Sequence, residues 1–138
     1  MANKILLEVV TPTRLVVSEE VDLVTVPGSA GVFGVMANHT PLLSTLKIGE
    51  MRYTVDGKTT RMALSSGFCE ISKNRMTVLA EAAEFSTEID VDRALKAKER
   101  AERRLQEAQT QREKIDVARA QAAFARAMNR LKVAGYNT

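Results

Sequence analysis

The sequence predicts an α+β fold, an N-terminal antiparallel β-sandwich followed by a C-terminal hairpin of two antiparallel helices. Up to Phe85, short runs rich in β-branched residues alternate with Gly, Pro, Asn and Asp. No helical period interrupts these runs, a pattern typical of a sandwich or barrel. After Phe85, the chain is rich in Ala, Arg, Glu, Lys and Gln and contains no proline. We therefore expect two domains, a sandwich over residues 1–85 and a helical hairpin over residues 86–138.

The strands are predicted from partial alternation of apolar and polar residues. They are expected at residues 4–10, 14–26, 32–35, 41–46, 51–55, 59–64, 67–71 and 76–80. Two tight hairpin turns are predicted at Asp56-Gly57 and Lys73-Asn74, because these residue types tolerate positive φ. Pro27 to Gly31 forms a further turn cluster.

Two helices are predicted after Ile89, joined by a polar turn over residues 110–114. The first carries Ala94, Ala97, Ala101, Leu105 and Ala108 at helical spacing. The second is marked by Val117, Phe124, Met128 and Leu131, with Ala118, Ala122 and Ala125 beside them. Ile89 to Ala94 is echoed by Ile115 to Ala120, and the Asp of each copy is suited to cap a helix start.

The predicted interface between the helices consists mostly of alanine. Replacing a buried Leu by Ala forfeits roughly 2–5 kcal/mol in a packed core, so such an interface is held weakly. Each helix nevertheless has high intrinsic propensity. The helices could therefore separate and remain helical, which indicates a conformational switch.

The net charge of +3 is unevenly distributed. Residues 1–88 carry −2, whereas residues 89–138 carry +5 and hold eight arginines. A basic tail indicates an anionic partner, and arginine favours bidentate contacts with phosphate or carboxylate. The single cysteine, Cys69, excludes an intrachain disulfide and fits a reducing compartment. No apolar run approaches the roughly 20 residues of a membrane helix, so we expect membrane contact only through partners.

Candidate sites for catalysis are lacking in the sequence. The Gly-rich stretch from Pro27 to Gly34 lacks the Gly-Lys-Ser/Thr ending of a P-loop, and His39 is the only histidine. The arginines, in contrast, form a candidate binding site. Arg93 and Arg100 share one face of the first helix, and Arg126 and Arg130 share one face of the second. They could converge on a polyanion, or they could pair with Glu99, Glu102 and Asp92 on a solvated surface. A nucleic-acid-binding or adaptor module is the alternative function, although no aromatic stacking platform is present.

Two spaced motifs resemble the epsilon subunit of bacterial F-type ATP synthases. The first runs from Pro27 to Leu43, PGSAGVFGVMANHTPLL, and the second from Gly67 to Ala80, GFCEISKNRMTVLA. The resemblance covers nearly the whole chain. One departure is Met36-Ala37, where the family commonly has Leu-Pro.

The resemblance implies a non-catalytic central-stalk subunit that rotates with gamma and the c-ring of a proton- or sodium-translocating synthase. The sandwich would dock on gamma and on the c-ring loops, with Ala30, Gly31, Val32, Phe33 and His39 as the contact candidates. The tail would inhibit ATP hydrolysis by extending into the alpha/beta head. The expected location is the cytoplasmic side of the bacterial plasma membrane, with no nucleic acid as a partner.

The resemblance also implies an ATP sensor in the folded tail, with no cofactor required and ATP as a regulatory ligand. Some bacterial relatives bind ATP in the folded tail through an Ile/Leu-Asp-x-x-Arg-Ala motif, which stands complete here from Ile89 to Ala94. Glu84, Ile89 and Asp90 would lie near the adenine and ribose, and Ala94 would line the site. Four arginines would hold the phosphates: Arg93, Arg100, Arg126 and Arg130.

Overall fold

The computed structural model describes residues 3–110 and 116–136. The chain divides into two compact units, Met1–Phe85 and Ser86–Thr138. The first is a β-sandwich and the second contains two helices, as the sequence predicts. Most of the polar turn predicted over residues 110–114 lies outside the described residues.

Ten strands form the first unit. They are β1 (Ile5–Val10), β2 (Leu15–Val21), β3 (Leu23–Gly28), β4 (Gly31–Val35), β5 (Leu42–Leu46), β6 (Gly49–Val55), β7 (Lys58–Leu64), β8 (Gly67–Ser72), β9 (Arg75–Ala80) and β10 (Ala83–Phe85). The strand order is β10-β7-β6-β3-β5-β8-β9-β1-β2, and β4 pairs with β3. Neighbours pair antiparallel except β1 and β9, which are parallel.

Both predicted hairpin turns are confirmed. Asp56 and Gly57 have φ of 50° and 81°, and Lys73 and Asn74 have φ of 52° and 58°. Positive φ at both central residues gives the twist that a two-residue hairpin needs. Pro27 to Gly34 also follows the prediction, since β3 and β4 form a hairpin with Gly28 paired to Gly31.

Two features of the strand prediction are wrong. Residues 14–26 form two strands, because the chain turns at Asp22, whose main-chain N–H donates to the carbonyl oxygen of Thr54 at 2.8 Å. Asp22 Oδ2 in turn accepts from the main-chain N–H of Asp56 at 2.7 Å. Strand β10 was missed because its three residues are ordered by pairing with β7, a long-range contact.

The sandwich core is aliphatic and sulfur-containing. Alternate residues of β1 and β9, such as Leu7, Val9, Met76 and Val78, are fully buried. Cys69 belongs to this core, and burial raises the pKa of its thiol. The core packing leaves the other face of these strands to solvent.

The second unit begins with a 3₁₀ turn, Ser86–Glu88, and contains helices α1 (Val91–Glu107) and α2 (Val117–Val133). Asp90 and Asp116 are their N-caps, accepting from the main-chain N–H of Arg93 at 3.1 Å and of Arg119 at 3.0 Å. The predicted capping role of both aspartates is confirmed. No helix in the described residues is long and apolar enough to cross a membrane.

Helices α1 and α2 contact each other, and most of their buried residues are alanines, from which we infer the interface. We call these alanines the alanine seam: Ala94, Ala101 and the C-cap Ala108 of the first helix with Ala120 and Ala127 of the second. The prediction for the first helix is confirmed at Ala94, Ala101 and Ala108, which are buried. The second-helix prediction is partly wrong, because Ala118 and Ala125 are exposed. Leu131 is fully buried, whereas Phe124 and Met128 are only partly buried.

Candidate functional site

The predicted phosphate-binding arginines have a common position relative to the alanine seam. Successive helical residues are rotated by about 100°, so a residue directly before a seam alanine lies about 100° to one side. Arg93 and Arg100 precede Ala94 and Ala101, and Arg126 precedes Ala127. These three arginines therefore have the same angular offset from the seam.

Equal offsets place residues of both helices on one face of the hairpin. A two-fold axis perpendicular to two antiparallel helices exchanges them and keeps such residues on the same side. Arg130, directly before buried Leu131, lies on that side too. Arg104 and Arg119, directly before Leu105 and Ala120, complete what we call the arginine face: Arg93, Arg100, Arg104, Arg119, Arg126 and Arg130.

Most of the arginine face lacks ion-pair partners within the described residues. Arg93, Arg100, Arg104, Arg119 and Arg126 are exposed, and none lies within 4.0 Å of a described carboxylate oxygen. The ion pair described within the helices joins Lys98 and Glu102 at 3.8 Å. For Arg93, Arg100 and Arg126, the described residues therefore show no pairing with Glu99, Glu102 or Asp92. Clustered guanidinium groups that form no ion pair are suited to bind an anion.

The remaining motif residues surround the start of α1. Asp90 is the N-cap of α1, and one of its carboxylate oxygens accepts a hydrogen bond from the main-chain N–H of Arg93. Ile89 and Ala94 are buried, at 8% and 0% exposure. Glu84 lies in β10 of the other unit, so its role near a base stays a prediction.

A shallow cavity of about 280 Å³ lies on α1 among Arg100, Arg103, Arg104 and Glu107. Sequence reasoning missed Arg104 and Arg119 as members of the arginine face. The signal that could have found them is the internal repeat, because Arg93, Arg100 and Arg104 recur as Arg119, Arg126 and Arg130.

The predicted contact residues of the sandwich cluster at the β3–β4 hairpin. Ala30, Gly31 and Val32 are exposed there, and Val32 is 68% accessible. Phe33 is half-buried against the core, so little of its side chain is available to a partner. Ser29, at the hairpin tip, donates its main-chain N–H to the carbonyl oxygen of Thr45 at 3.0 Å. The tip is therefore fixed to β5.

His39 lies in the loop between β4 and β5 and is partly buried. Its Nδ1 lies 2.7 Å from the carbonyl oxygen of Thr40. Asn74 organises this loop: its Oδ1 accepts from Asn38 N–H and its Nδ2 donates to the carbonyl oxygen of Lys4, each at 2.9 Å. The His39 loop is thus attached to the β8–β9 turn.

An exposed apolar row crosses the outer face of the sandwich. Phe68 is paired with Leu79, Leu79 with Val10, and Val10 with Leu15, on adjacent strands. Phe68, Leu79 and Leu15 are 44%, 37% and 54% accessible. A groove of about 660 Å³ runs beside Val10, Phe68 and Leu79. Contiguous exposed apolar side chains of this kind mark binding surfaces.

Comparison with family models identifies both units. Residues 4–86 match the beta-sandwich domain of the ATP synthase delta/epsilon chain, and residues 87–135 match its long alpha-helix domain. Among solved structures, the chain resembles one in the Euglena gracilis mitochondrial ATP synthase OSCP/F1/c-ring assembly. The TM-score is 0.81 at 22% identity, covering 99% of this chain and 84% of that one. A likeness at that identity concerns the fold.

Curated relatives match along nearly their whole length. The ATP synthase epsilon chain of Nitratidesulfovibrio vulgaris (strain DP4) is 52% identical over 135 residues, covering 98% of each chain. That of Desulfitobacterium hafniense (strain Y51) is 49% identical over 134 residues, covering 97% of this chain and 98% of the relative. The chain therefore belongs to the ATP synthase epsilon-chain family, whose members are structural and regulatory subunits and not themselves catalytic.

Proposed function

We propose that this chain couples rotation in the central stalk of an ATP synthase and regulates ATP hydrolysis through its helical unit. The coupling ion is a proton or sodium. The sandwich docks on gamma and the c-ring, and the helices inhibit the alpha/beta head when extended and bind ATP when folded. The single observation that carries the sensing role is the arginine face, where five exposed guanidinium groups lack described carboxylate partners.

The docking role is supported by two surfaces of the sandwich. The apolar row offers Phe68, Leu79 and Leu15 to a protein partner, for which gamma is the candidate. The β3–β4 tip offers Val32 beside Gly31, and this tip is the candidate c-ring contact. A solved structural neighbour from Tetrahymena thermophila, with a TM-score of 0.54 at 12% identity, is described as central stalk/c-ring.

The sensing role assigns a part to each motif residue. Arg93, Arg100, Arg126 and Arg130 hold the triphosphate through charge-assisted hydrogen bonds. Ile89, Asp90 and Glu84 act near the base and ribose, and Ala94 lines the site. Because none of these assignments includes a nucleophile and base acting on phosphate, ATP is bound as a signal and not hydrolysed.

The alanine seam makes this sensing energetically practical. A ligand at one hundred times its dissociation constant stabilises the state that binds it by about 2.7 kcal/mol. That amount is comparable with the loss from a single Leu-to-Ala replacement in a core. Bound ATP therefore shifts a small-residue interface towards its folded state, and the inhibition of hydrolysis is released when ATP is abundant.

The proposed location follows from the partners. The chain is held peripherally, through gamma and the c-ring, at the cytoplasmic face of a bacterial plasma membrane. The relatives named above are bacterial. None of the comparisons supports the nucleic-acid-binding or adaptor alternative.

Calorimetry of ATP with the purified chain tests the sensing proposal. Arg126→Ala should weaken binding by at least about 1.5 kcal/mol, the low end for a hydrogen bond to a charged group. Arg103→Ala is the matched control, because Arg103 lies outside the arginine face. Unchanged affinity in Arg126→Ala would remove this residue from the site, and equal losses in both variants would indicate general attraction.

Truncation tests the docking proposal separately. A chain lacking residues 89–138 should still bind gamma, while inhibition of ATP hydrolysis disappears. Replacing Phe68 and Leu79 by Ser should instead weaken gamma binding and leave ATP affinity unchanged. A truncated chain that folds and fails to bind gamma would show that the sandwich is not the docking unit.

A further inference from the structure

The two helices are copies of one pattern. Residues 89–108 and 115–134 are identical at eleven of twenty aligned positions, at an offset of twenty-six. The helices are both 17 residues long and begin and end at equivalent positions. Their caps also agree, because Asp90 and Asp116 each accept from the N–H three residues later. The repeat is therefore structural as well as sequential.

The repeat has a consequence for the arginine face. In an antiparallel hairpin, a pseudo-two-fold axis exchanges equivalent residues of the two helices. The exchanged arginines are Arg93 with Arg119, Arg100 with Arg126, and Arg104 with Arg130. The proposed ATP site combines the capped start of α1 with arginines of both helices. The same pseudo-two-fold axis relates these residues to an equivalent set at the capped start of α2.

We infer that the hairpin has a second phosphate-binding site, formed by Arg119 and Arg126 of α2 with Arg100 and Arg104 of α1. The inference rests on the proposed function, because the first site serves as the template. Arg100, Arg104, Arg119 and Arg126 are exposed without a described carboxylate within 4.0 Å. The cavity of about 280 Å³ is lined by two of them, Arg100 and Arg104, with Arg103 and Glu107.

Departures from the repeat define the ligand class. Glu84, assigned near the base in the first site, lies five residues before the first copy of the repeat, and Thr110 lies five residues before the second. Thr110 Oγ1 donates to the carbonyl oxygen of Glu107 at 3.1 Å and is thereby committed to the end of α1. The second site therefore retains a counterpart of Asp90, Asp116, and lacks an acidic counterpart of Glu84. Its ligand is a phosphate chain, whether inorganic or carried by any nucleotide.

Two further departures set the relative affinity. Asp92 is replaced by Ala118, which removes a negative charge from the first turn of α2 and favours an anion. Glu107 lines the cavity beside Arg104 and repels an anion there. Its counterpart in α2, Val133, carries no charge. Arg100 and Arg126 serve both sites, so an occupied first site removes positive charge from the second. The second anion therefore binds more weakly than the first.

Calorimetry with inorganic tripolyphosphate as the probe tests this site on the full chain. The wild type should bind two tripolyphosphates, with the second at least about tenfold weaker than the first. Arg119→Gln and Arg104→Gln should each weaken the second event at least tenfold and leave ATP affinity within about twofold. Arg93→Gln should have the opposite effect: it should weaken ATP binding, while the tripolyphosphate binding that depends on Arg119 persists.

Controls separate a built site from general attraction. Lys96→Gln makes the same charge change on α1, at an exposed residue outside both the arginine face and the cavity, and should leave both events within twofold. Arg119→Lys should retain part of the binding, and circular dichroism should show unchanged helix content in every variant. Equal losses in Lys96→Gln and Arg104→Gln, or a single tripolyphosphate insensitive to Arg119→Gln, would overturn the second site. Polyglutamate of matched charge binding as tightly would overturn its phosphate preference.

The two proposals fail differently. Absence of ATP binding together with a tripolyphosphate event that depends on Arg119 would refute ATP sensing and retain the second site. ATP binding that depends on Arg93, with one tripolyphosphate per chain and no effect of Arg119→Gln, would retain sensing and refute the second site.

Discussion

Arg100 and Arg126 occupy equivalent positions on the two helices, each directly before an alanine of the seam. Those alanines, Ala101 and Ala127, are only 3% and 2% exposed. The residues that close the hairpin are therefore adjacent in sequence to the guanidinium groups proposed to bind its ligand. Separation of the helices would move the two arginines apart, so the proposed anion binding would be coupled to hairpin closure.

The seam predicts a variant that opens the hairpin. Ala101→Leu adds three carbons to a packed interface, and overpacking costs about 1–3 kcal/mol. Helix content should be unchanged, because Leu has nearly the helix propensity of Ala. We expect a longer distance between spectroscopic labels on α1 and α2, together with weaker ATP binding. Ala125→Leu is the control on an exposed position. An unchanged distance in Ala101→Leu would contradict a tightly filled seam.

The caps predict a local stability effect. Asp116→Ala removes the acceptor for Arg119 N–H and should destabilise α2 by about 1 kcal/mol. Asp116→Asn should retain most of the stability, because Asn is an equally good cap. Thermal unfolding followed by circular dichroism measures both. Asp92→Ala, an exposed first-turn residue that is not the N-cap, should cost only a few tenths of a kcal/mol. A similar loss for Asp92→Ala and Asp116→Ala would argue against capping.

The hairpin turns and the strand-to-helix change at Phe85 could be predicted because their signals are local. The break at Asp22 could not, since it depends on pairing with Thr54 and Asp56. The predicted interface of α2 was partly wrong for another reason. Alanines occur on nearly every side of α2, so Ala118 and Ala120 differ in burial without differing in hydrophobicity.

The candidate site was partly predictable. Helical spacing paired Arg93 with Arg100 and Arg126 with Arg130, but it could not show that all four lie on one face. That conclusion requires the seam, because angular offsets have meaning only relative to the buried side. Arg119 lies inside the six-residue match as the counterpart of Arg93, so that match alone could have identified it. Arg104 lies beyond the match and needs the longer repeat.

The family motif that starts at Gly67 contains a steric requirement. A Cβ at Gly67 would overlap the main chain of Leu79 and Ala80, and Gly67 is paired with Ala80 in the sheet. Gly67→Ala should therefore destabilise the sandwich by about 3 kcal/mol. Urea unfolding measures the loss. Gly34→Ala is the control, because its Cβ would meet only ordinary contacts, the nearest at 3.5 Å. Comparable stability of the two variants would contradict the packing at Gly67.

Glu50 predicts a pH dependence of stability. Burial raises the pKa of Glu50, but hydrogen bonds and charges from Arg52 and Arg61 outweigh it and hold the pKa below its usual 4.5. Arg61 Nε donates to Glu50 Oε1 at 2.8 Å. A carboxyl group with a lowered folded-state pKa adds stability above the unfolded-state pKa and loses it as pH falls through the folded-state value.

Glu50→Gln should therefore cost about 1 kcal/mol at pH 7, and the difference from the wild type should shrink below pH 4.5. Urea unfolding at several pH values measures this change. In an Arg61→Gln background, the effect of Glu50→Gln should be smaller. A pH-independent difference would show that Glu50 acts through packing alone.

Amide hydrogen exchange of the full chain, with and without ATP, tests the central claim that the helices close weakly and are stabilised by an anion. Without ATP, amides of α1 and α2 should exchange faster than those of β1 and β9. With saturating ATP, exchange in both helices should slow, and exchange in the strands should stay the same. Helices as strongly protected as the strands in both conditions would contradict the account.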